Sequence, residues 1–223
     1  MTYKSRSWPN WSKIETIFVD MDGTLLDLYF DDFFWQTYLP EKYAEINKIE
    51  TDQANATLQT AFQLHKGTLN WYCTDFWTRE LGVDIIQLKS EVSHLIDIHE
   101  HVIQFLESMQ KLNKRVVLLT NAHPDVVKLK MRHAPLEQYF NRIISSHTLG
   151  HPKEEQIMWE KLKQLEPFEL DSTLFIDDSL DVLNSARQFG IEYLLGISQP
   201  SSRKQATQLA DYLTLESFKQ ITP

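Results

Sequence analysis

Two carboxylates one residue apart, Asp20 and Asp22, end an apolar run and open onto a glycine in Ile17-Phe18-Val19-Asp20-Met21-Asp22-Gly23-Thr24-Leu25-Leu26-Asp27. Acids this close repel one another unless a cation holds them. A divalent ion does so, and magnesium suits oxygen ligands while keeping waters that a phosphate oxygen can replace. With one oxygen on the metal, the Asp20 carboxylate can attack phosphorus as a nucleophile. Asp22, beside the leaving oxygen, can give it a proton and later take one from the water that cleaves the aspartyl-phosphate. The same residues also suit a plain acidic turn, because Asp-Gly is a common turn pair. What else the chain brings to this place therefore decides the reading.

Three later segments carry matching chemistry. Thr120 and Asn121 follow the run Val116-Val117-Leu118-Leu119, where a hydroxyl, an amide and backbone N–H groups can hold phosphate oxygens near a helix start; a helix cap or a turn is equally open to them. His123, before Pro124, offers a further donor to substrate or is a surface residue. Lys153 follows the break Gly150-His151-Pro152 and can neutralise the nucleophile and the transferring phosphoryl group, although a lysine there ordinarily faces solvent. Asp177 and Asp178 close Leu174-Phe175-Ile176 and repeat the acid pair. Adjacent strand residues point to opposite faces, so only one need reach the metal unless the chain turns there; Asp178 is the favoured direct ligand with Asp177 close behind, beside Asp20 and Asp22. Asp181 reads as a helix-capping residue.

The elements that must position these groups are legible as four short apolar runs, Thr16 to Val19, Arg115 to Leu119, Arg142 to Ser145 and Thr173 to Ile176, which read as buried strands. Segments with helical spacing lie between them, such as Val102, Phe105, Leu106, Met109 and Leu112. Strands alternating with helices predict an α/β fold with a parallel sheet, and in such sheets chemistry collects beyond the carboxyl ends of the strands. Between residues 28 and 98 the pattern turns helical and aromatic, which predicts a helical subdomain inserted into a core of residues 1–27 and 99–223. Within the insertion, Trp35, Trp71 and Tyr72 could stack on a base, and Asn70 and Asp75 could read its polar edges or a ribose. Cys73, among aromatics, reads as an inert buried residue, and His99 and His101 as the solvated start of a helix. The first dozen residues and the tail after Gln199 read as flexible ends.

The 223 residues are 42% hydrophobic, enough to bury a core and to exclude a disordered tail or a small disulfide scaffold. With 31 acidic and 22 basic residues the formal charge is -9, so the overall field repels a nucleic-acid polyanion but leaves room for a small phosphorylated substrate at a metal or lysine. No apolar stretch reaches the roughly 18 residues that a membrane span needs, and no secretory signal is visible. A cytoplasmic protein is expected, and the single cysteine fits a reducing compartment.

Taken together, DMDGT at 20 to 24, Thr120, Lys153 and the Asp177/Asp178 pair resemble the haloacid dehalogenase-like superfamily over nearly the whole chain. The resemblance implies a Rossmann-like α/β core with a helical cap inserted after the first motif. It implies Asp20 as nucleophile, Asp22 as acid/base, Thr120 as phosphate ligand, Lys153 as charge stabiliser and Asp178 as a ligand of magnesium. TLNWYC at 68 to 73, LLTNAHP at 118 to 124 and TLFIDDS at 173 to 179 further resemble the bacterial GMP/IMP nucleotidases, which implies a purine nucleoside monophosphate as substrate. A sugar-phosphate phosphatase or phosphomutase, or a non-catalytic binding protein on the same fold, are the competing readings; retention of every reactive group weighs against the last.

Overall fold

The structure, a computed structural model, describes residues 9–223. Its centre is strand β1, Thr16–Val19, whose four residues are all buried. Side chains alternate across a strand, so Ile17 and Val19 enter one core and Phe18 the other. After β1 come α1 (Tyr29–Phe33), which runs on through a π-helical turn at Phe34–Tyr38, then α2 (Leu39–Asn47), α3 (Thr51–His65), α4 (Thr74–Leu81) and α5 (Ile85–Glu91). Helix α6 (Val102–Lys111) returns the chain to the sheet, followed by β2 (Arg115–Thr120), α7 (Pro124–His133), β3 (Arg142–Ser145), the short α8 (Ser146–Leu149), α9 (Gln156–Leu165), β4 (Thr173–Asp177), α10 (Leu180–Phe189), β5 (Tyr193–Ile197) and β6 (Thr214–Leu215).

All six strands are parallel, in the order β3-β2-β1-β4-β5-β6. Val19 lies opposite Leu118 of β2 and Ile176 of β4, so the three strands end within two residues of one another and the residues at their ends meet at one edge. Ridges of α6 and α7 (Val102, Phe105, Met109, Val126, Val127) cover one face of the sheet. Met158, Trp159 and Leu162 of α9 with Val182 and Leu183 of α10 cover the other. The helices between β1 and α6 pack on a third apolar cluster, among them Phe34, Phe62, Trp77 and Ile85, which α7 touches through Leu129.

The structure corrects three expectations about the chain's extent. The tail after Gln199 is not loose: Ser201, Tyr212, Leu215, Phe218 and Ile221 are buried, and β6 extends the sheet. Helix α6 ends at Lys111, leaving Leu112 exposed beyond the stripe formed by Val102, Phe105, Leu106 and Met109. Of the first dozen residues, 1–8 lie outside the described residues, while Trp11 packs against Phe105. No helix among the described residues is long and apolar enough to cross a membrane.

Candidate active site

The site forms where β1, β2 and β4 end. Asp20 extends β1 and donates its N–H to Ile176 O at 2.9 Å, which holds its carboxylate at the sheet edge. The chain then doubles back: Gly23 donates to Leu26 O at 2.8 Å, and Gly23 has φ +78°. A Cβ there would lie 2.5 Å from Asp178 Oδ2 and 2.9 Å from Pro200 Cβ. Glycine is thus required both by the left-handed backbone and by the carboxylate resting over it.

Lys153 sits among the acids. Its Nζ is 2.5 Å from Asp20 Oδ1, 2.6 Å from Asp177 Oδ2 and 3.3 Å from Leu119 O, and the residue is 2% exposed. Burial works against the ammonium, but Asp177 and Asp20 outweigh it and hold its pKa above the ordinary lysine value. Carboxylate oxygens of Asp20, Asp177 and Asp178 lie within 4.8 Å of one another. Burial pushes Asp20 up to about 6, with Lys153 opposing and Asp177 adding. It pushes Asp178 well above the usual carboxylate range, with Asp177 and Asp20 adding to the effect. Three carboxylates thus share one ammonium, a deficit of positive charge that a hard divalent cation would relieve. The donor set, oxygen only, fits magnesium. Asp177 is already engaged on both sides, by Lys153 and by the Ser179 N–H at 2.8 Å.

Asp22 stands apart from this group. Its Oδ1 pairs with Lys130 of α7, and the same ammonium pairs with Asp31 of α1. Asp31 also accepts from Lys89 of α5 at 2.7 Å. Burial pushes Asp22 up to about 6 against the pull of Lys130, with Asp31 and Asp20 adding. Burial raises Asp31 too, but Lys130 and Lys89 outweigh it and bring it to about 2. Lys89 lies over the rings of Phe34 at 4.4 Å and Phe30 at 4.8 Å. Both lysines are 1% exposed, so the buried charges Asp22–Lys130–Asp31–Lys89 run as one chain from the sheet edge into the helical insertion.

Thr120 ends β2 buried, and its Oγ1 accepts the Ala122 N–H at 3.0 Å, which leaves its proton free to be donated. Asn121 is committed to the scaffold: its Oδ1 accepts from Lys153 N at 2.9 Å and its Nδ2 donates to Glu154 Oε2 at 2.9 Å. Its side chain fixes the Lys153 loop and also lines the cavity described below. The phenol of Tyr72 donates to the other Glu154 oxygen at 2.6 Å, tying the insertion to that loop.

A cavity of about 600 Å³ joins these groups to the insertion. Asp20, Asp22, Thr120, Lys153 and Asp178 line it, as do Trp35, Trp71, Tyr72 and His123. Asn70 and Asp75, expected to read a base or ribose, do not line it; both are exposed. Gln36, Gln59 and Gln63, also exposed, do line it. Lys89, Lys130 and these glutamines are what reasoning from sequence missed. Cys73, expected to be buried, is half-exposed and caps α4, its Sγ accepting the Phe76 N–H at 3.4 Å. Asp181 lies in the first turn of α10, whose cap is Ser179.

Residues 14–190 match the haloacid dehalogenase-like hydrolases. The chain belongs to that family. It is therefore an enzyme of the hydrolase class, and the likeness extends past the matched segment. It is 37% identical over 213 residues to the GMP/IMP nucleotidase YrfG of Escherichia coli, with 96% of each chain covered. Among solved structures of lower identity, it superposes on a haloacid dehalogenase-like phosphatase from Thermococcus onnurineus with a TM-score of 0.76 at 18% identity, covering 93% of this chain and 96% of that one. The magnesium-bound putative hydrolase YfnB from Bacillus subtilis gives a TM-score of 0.61 at 17% identity, again with 93% and 96% covered. These two likenesses speak for the fold, a haloacid dehalogenase-like parallel sheet flanked by helices.

Proposed function

We propose that this hydrolase is a magnesium-dependent 5′-nucleotidase that cleaves purine nucleoside monophosphates, GMP and IMP, to nucleoside and phosphate. The observation that carries the reading is that one cavity is lined at one end by a nucleophile, an acid and an ammonium, and at the other by indole rings able to stack on a base. The kinship with the Escherichia coli GMP/IMP nucleotidase across 96% of both chains supports the choice of purine. In this reading residues 28–98 are a cap, and residues 1–27 and 99–223 the α/β core.

The chemistry runs in two halves. Asp20 attacks phosphorus while the ester P–O bond breaks, and Asp22, protonated for this half, gives its proton to the departing nucleoside oxygen. The Thr120 hydroxyl and the Lys153 ammonium hold the phosphoryl oxygens as the charge shifts among them. Asp22 then takes a proton from the water that attacks the aspartyl-phosphate, which frees phosphate and restores Asp20. An Asp22 pKa near 6 suits a group that must both give and take a proton near neutrality. Asp20 and Asp178, with Asp177 behind them, would hold magnesium, which supplies Lewis-acid neutralisation of the phosphoryl oxygens.

The test is phosphate release from GMP, IMP, AMP, pyrimidine monophosphates and sugar phosphates, with magnesium and with excess chelator. Activity concentrated on GMP and IMP and lost with chelator supports the whole reading. Preference for sugar phosphates would keep the chemistry and overturn the substrate.

A further inference from the structure

Next to the cavity, a second group of metal-ligating side chains stands outside the carboxylate site. Cys73 Sγ and ring nitrogens of His123 and His147 lie within 4.8 Å of one another. Asp75 Oδ2 is 3.7 Å from His123 Nε2. The two imidazoles meet edge to face with centroids 5.0 Å apart. His147 Nε2 is buried and makes no well-formed hydrogen bond among the described residues, a cost that a protein interior rarely tolerates without a water or a ligand.

A thiolate, two imidazoles and a carboxylate are the donors zinc prefers, and they are unlike the all-oxygen set around Asp20. Around a tetrahedral zinc, ligand atoms sit roughly 3.3–3.6 Å apart, so the Cys73, His123 and His147 atoms need contract by only about an ångström, and Asp75, exposed at the start of α4, swings in to complete the set. On the far side of His123, Asp125 Oδ2 is 3.8 Å from Nδ1, so a small shift lets it accept a hydrogen bond from the Nδ1–H when Nε2 ligates, the carboxylate–histidine arrangement that orients metal-bound imidazoles. The Asp125 N–H now points to Nδ1 at 3.4 Å, a long contact that this tautomer would give up.

We propose that Cys73, His123 and His147, with Asp75 as fourth ligand, form a zinc site that clamps the helical insertion to the sheet and suppresses turnover. Cys73 and Asp75 lie at the start of α4 in the insertion, whereas His123 precedes α7 and His147 lies in α8. An ion shared among them ties the two together beside the cavity wall that His123 forms. Binding forms the zinc–sulfur bond and releases the thiol proton to solvent, with no change of oxidation state. Magnesium, which disfavours sulfur, leaves this site alone.

Cobalt reports on the site directly, because Cys73 is the only cysteine and any thiolate-to-cobalt charge transfer must come from it. The metal-free full chain, in excess magnesium to fill the carboxylate site, is titrated with cobalt. One equivalent should produce a near-ultraviolet thiolate band and intense visible bands of a tetrahedral ion, all displaced by zinc. C73S should lose the thiolate band, and H147Q should bind cobalt at least about tenfold more weakly. Micromolar zinc should inhibit phosphate release from a small generic ester in the parent but not in C73S, whose magnesium-supported turnover stays at the parental level. Absence of the thiolate band at stoichiometric cobalt, or cobalt affinity unchanged in H147Q, overturns the site. Equal zinc inhibition of C73S overturns the clamp, since inhibition would then arise at the carboxylates.

Discussion

Replacing Lys130 by methionine tests the buried charge chain at its middle link. Methionine keeps most of the volume and removes the ammonium that Asp22 and Asp31 share. Breaking a buried ion pair by deleting one partner costs about 3–5 kcal/mol, because it strands the other charge. Here Asp31 keeps Lys89 at 2.7 Å and Asp22 reaches the cavity, so the lower end applies, about 3 kcal/mol. For a chain of this size each kcal/mol lowers the melting temperature by roughly 2–4 °C, which makes a drop of roughly 6–12 °C. Turnover should fall roughly tenfold or more, part of the 10²–10⁴ that a well-placed acid/base contributes, since Asp22 loses the contact that aims it. Adding D22N to K130M removes the carboxylate left without a partner, so the double variant should recover part of the stability loss, a coupling on the order of 1 kcal/mol. Thermal melts and phosphate release on the four proteins of the cycle measure all of this. Strict additivity, or a K130M protein that melts within about 1 kcal/mol of the parent with undiminished turnover, would refute the reasoning.

Other substitutions probe the remaining parts. D20N should abolish turnover while leaving the circular-dichroism spectrum and melting behaviour near those of the parent, because an amide is a poor nucleophile and the fold does not rest on this charge. G23A should lose about 1–2 kcal/mol to its left-handed backbone and push Asp178 aside, visible as a higher magnesium requirement for phosphate release. W71A should lower kcat/KM for GMP roughly fivefold to a hundredfold, the worth of one stacking contact, yet barely change a small ester that does not reach the indole; equal losses on both would point to structural damage instead.

Much of this site could be read before folding because its groups follow apolar runs. The strands carrying Asp20, Thr120 and Asp177 lie in the structure where short, β-branched segments place them. Strand β5 was harder to see, since Tyr193-Leu194-Leu195-Gly196-Ile197 is only half-buried at its start and carries a glycine. That glycine answers to packing, because a Cβ there would lie 2.8 Å from Leu209 Cδ1. The C-terminal tail misled because its anchors are single apolar residues in a polar setting, and burial of Tyr212, Leu215, Phe218 and Ile221 depends on a surface that exists only after the sheet has formed. The two buried lysines had a local signal. Lys89 stands in the stripe Ile85, Leu88, Lys89, Val92, and Lys130 in Val127, Lys130, Met131, Ala134, each at the spacing of a core-facing helix face. A lysine in that register must find a buried acid, and which acid is a long-range fact that no spacing discloses. That Asn70 and Asp75 lie outside the cavity lining is a fact of the same kind, since the way the start of α4 and the turn before it face is set by packing.

The position of β1 also bears on how the chain is made. Thr16 pairs with Arg115 on one side and Thr173 on the other, so the segment bearing Asp20 leaves the ribosome long before either neighbour exists. At typical synthesis rates of 5–20 residues per second, the wait for β4 is on the order of ten seconds. In that interval the helices of the insertion, whose apolar cluster is drawn almost wholly from one stretch of chain, can collapse on local contacts, whereas the sheet must await distant ones. A nascent chain stalled before residue 115 would hold a folded helical piece tethered to an unpaired strand that carries the apolar run Ile17-Phe18-Val19, which makes Thr16–Val19 a stretch in need of a chaperone during birth.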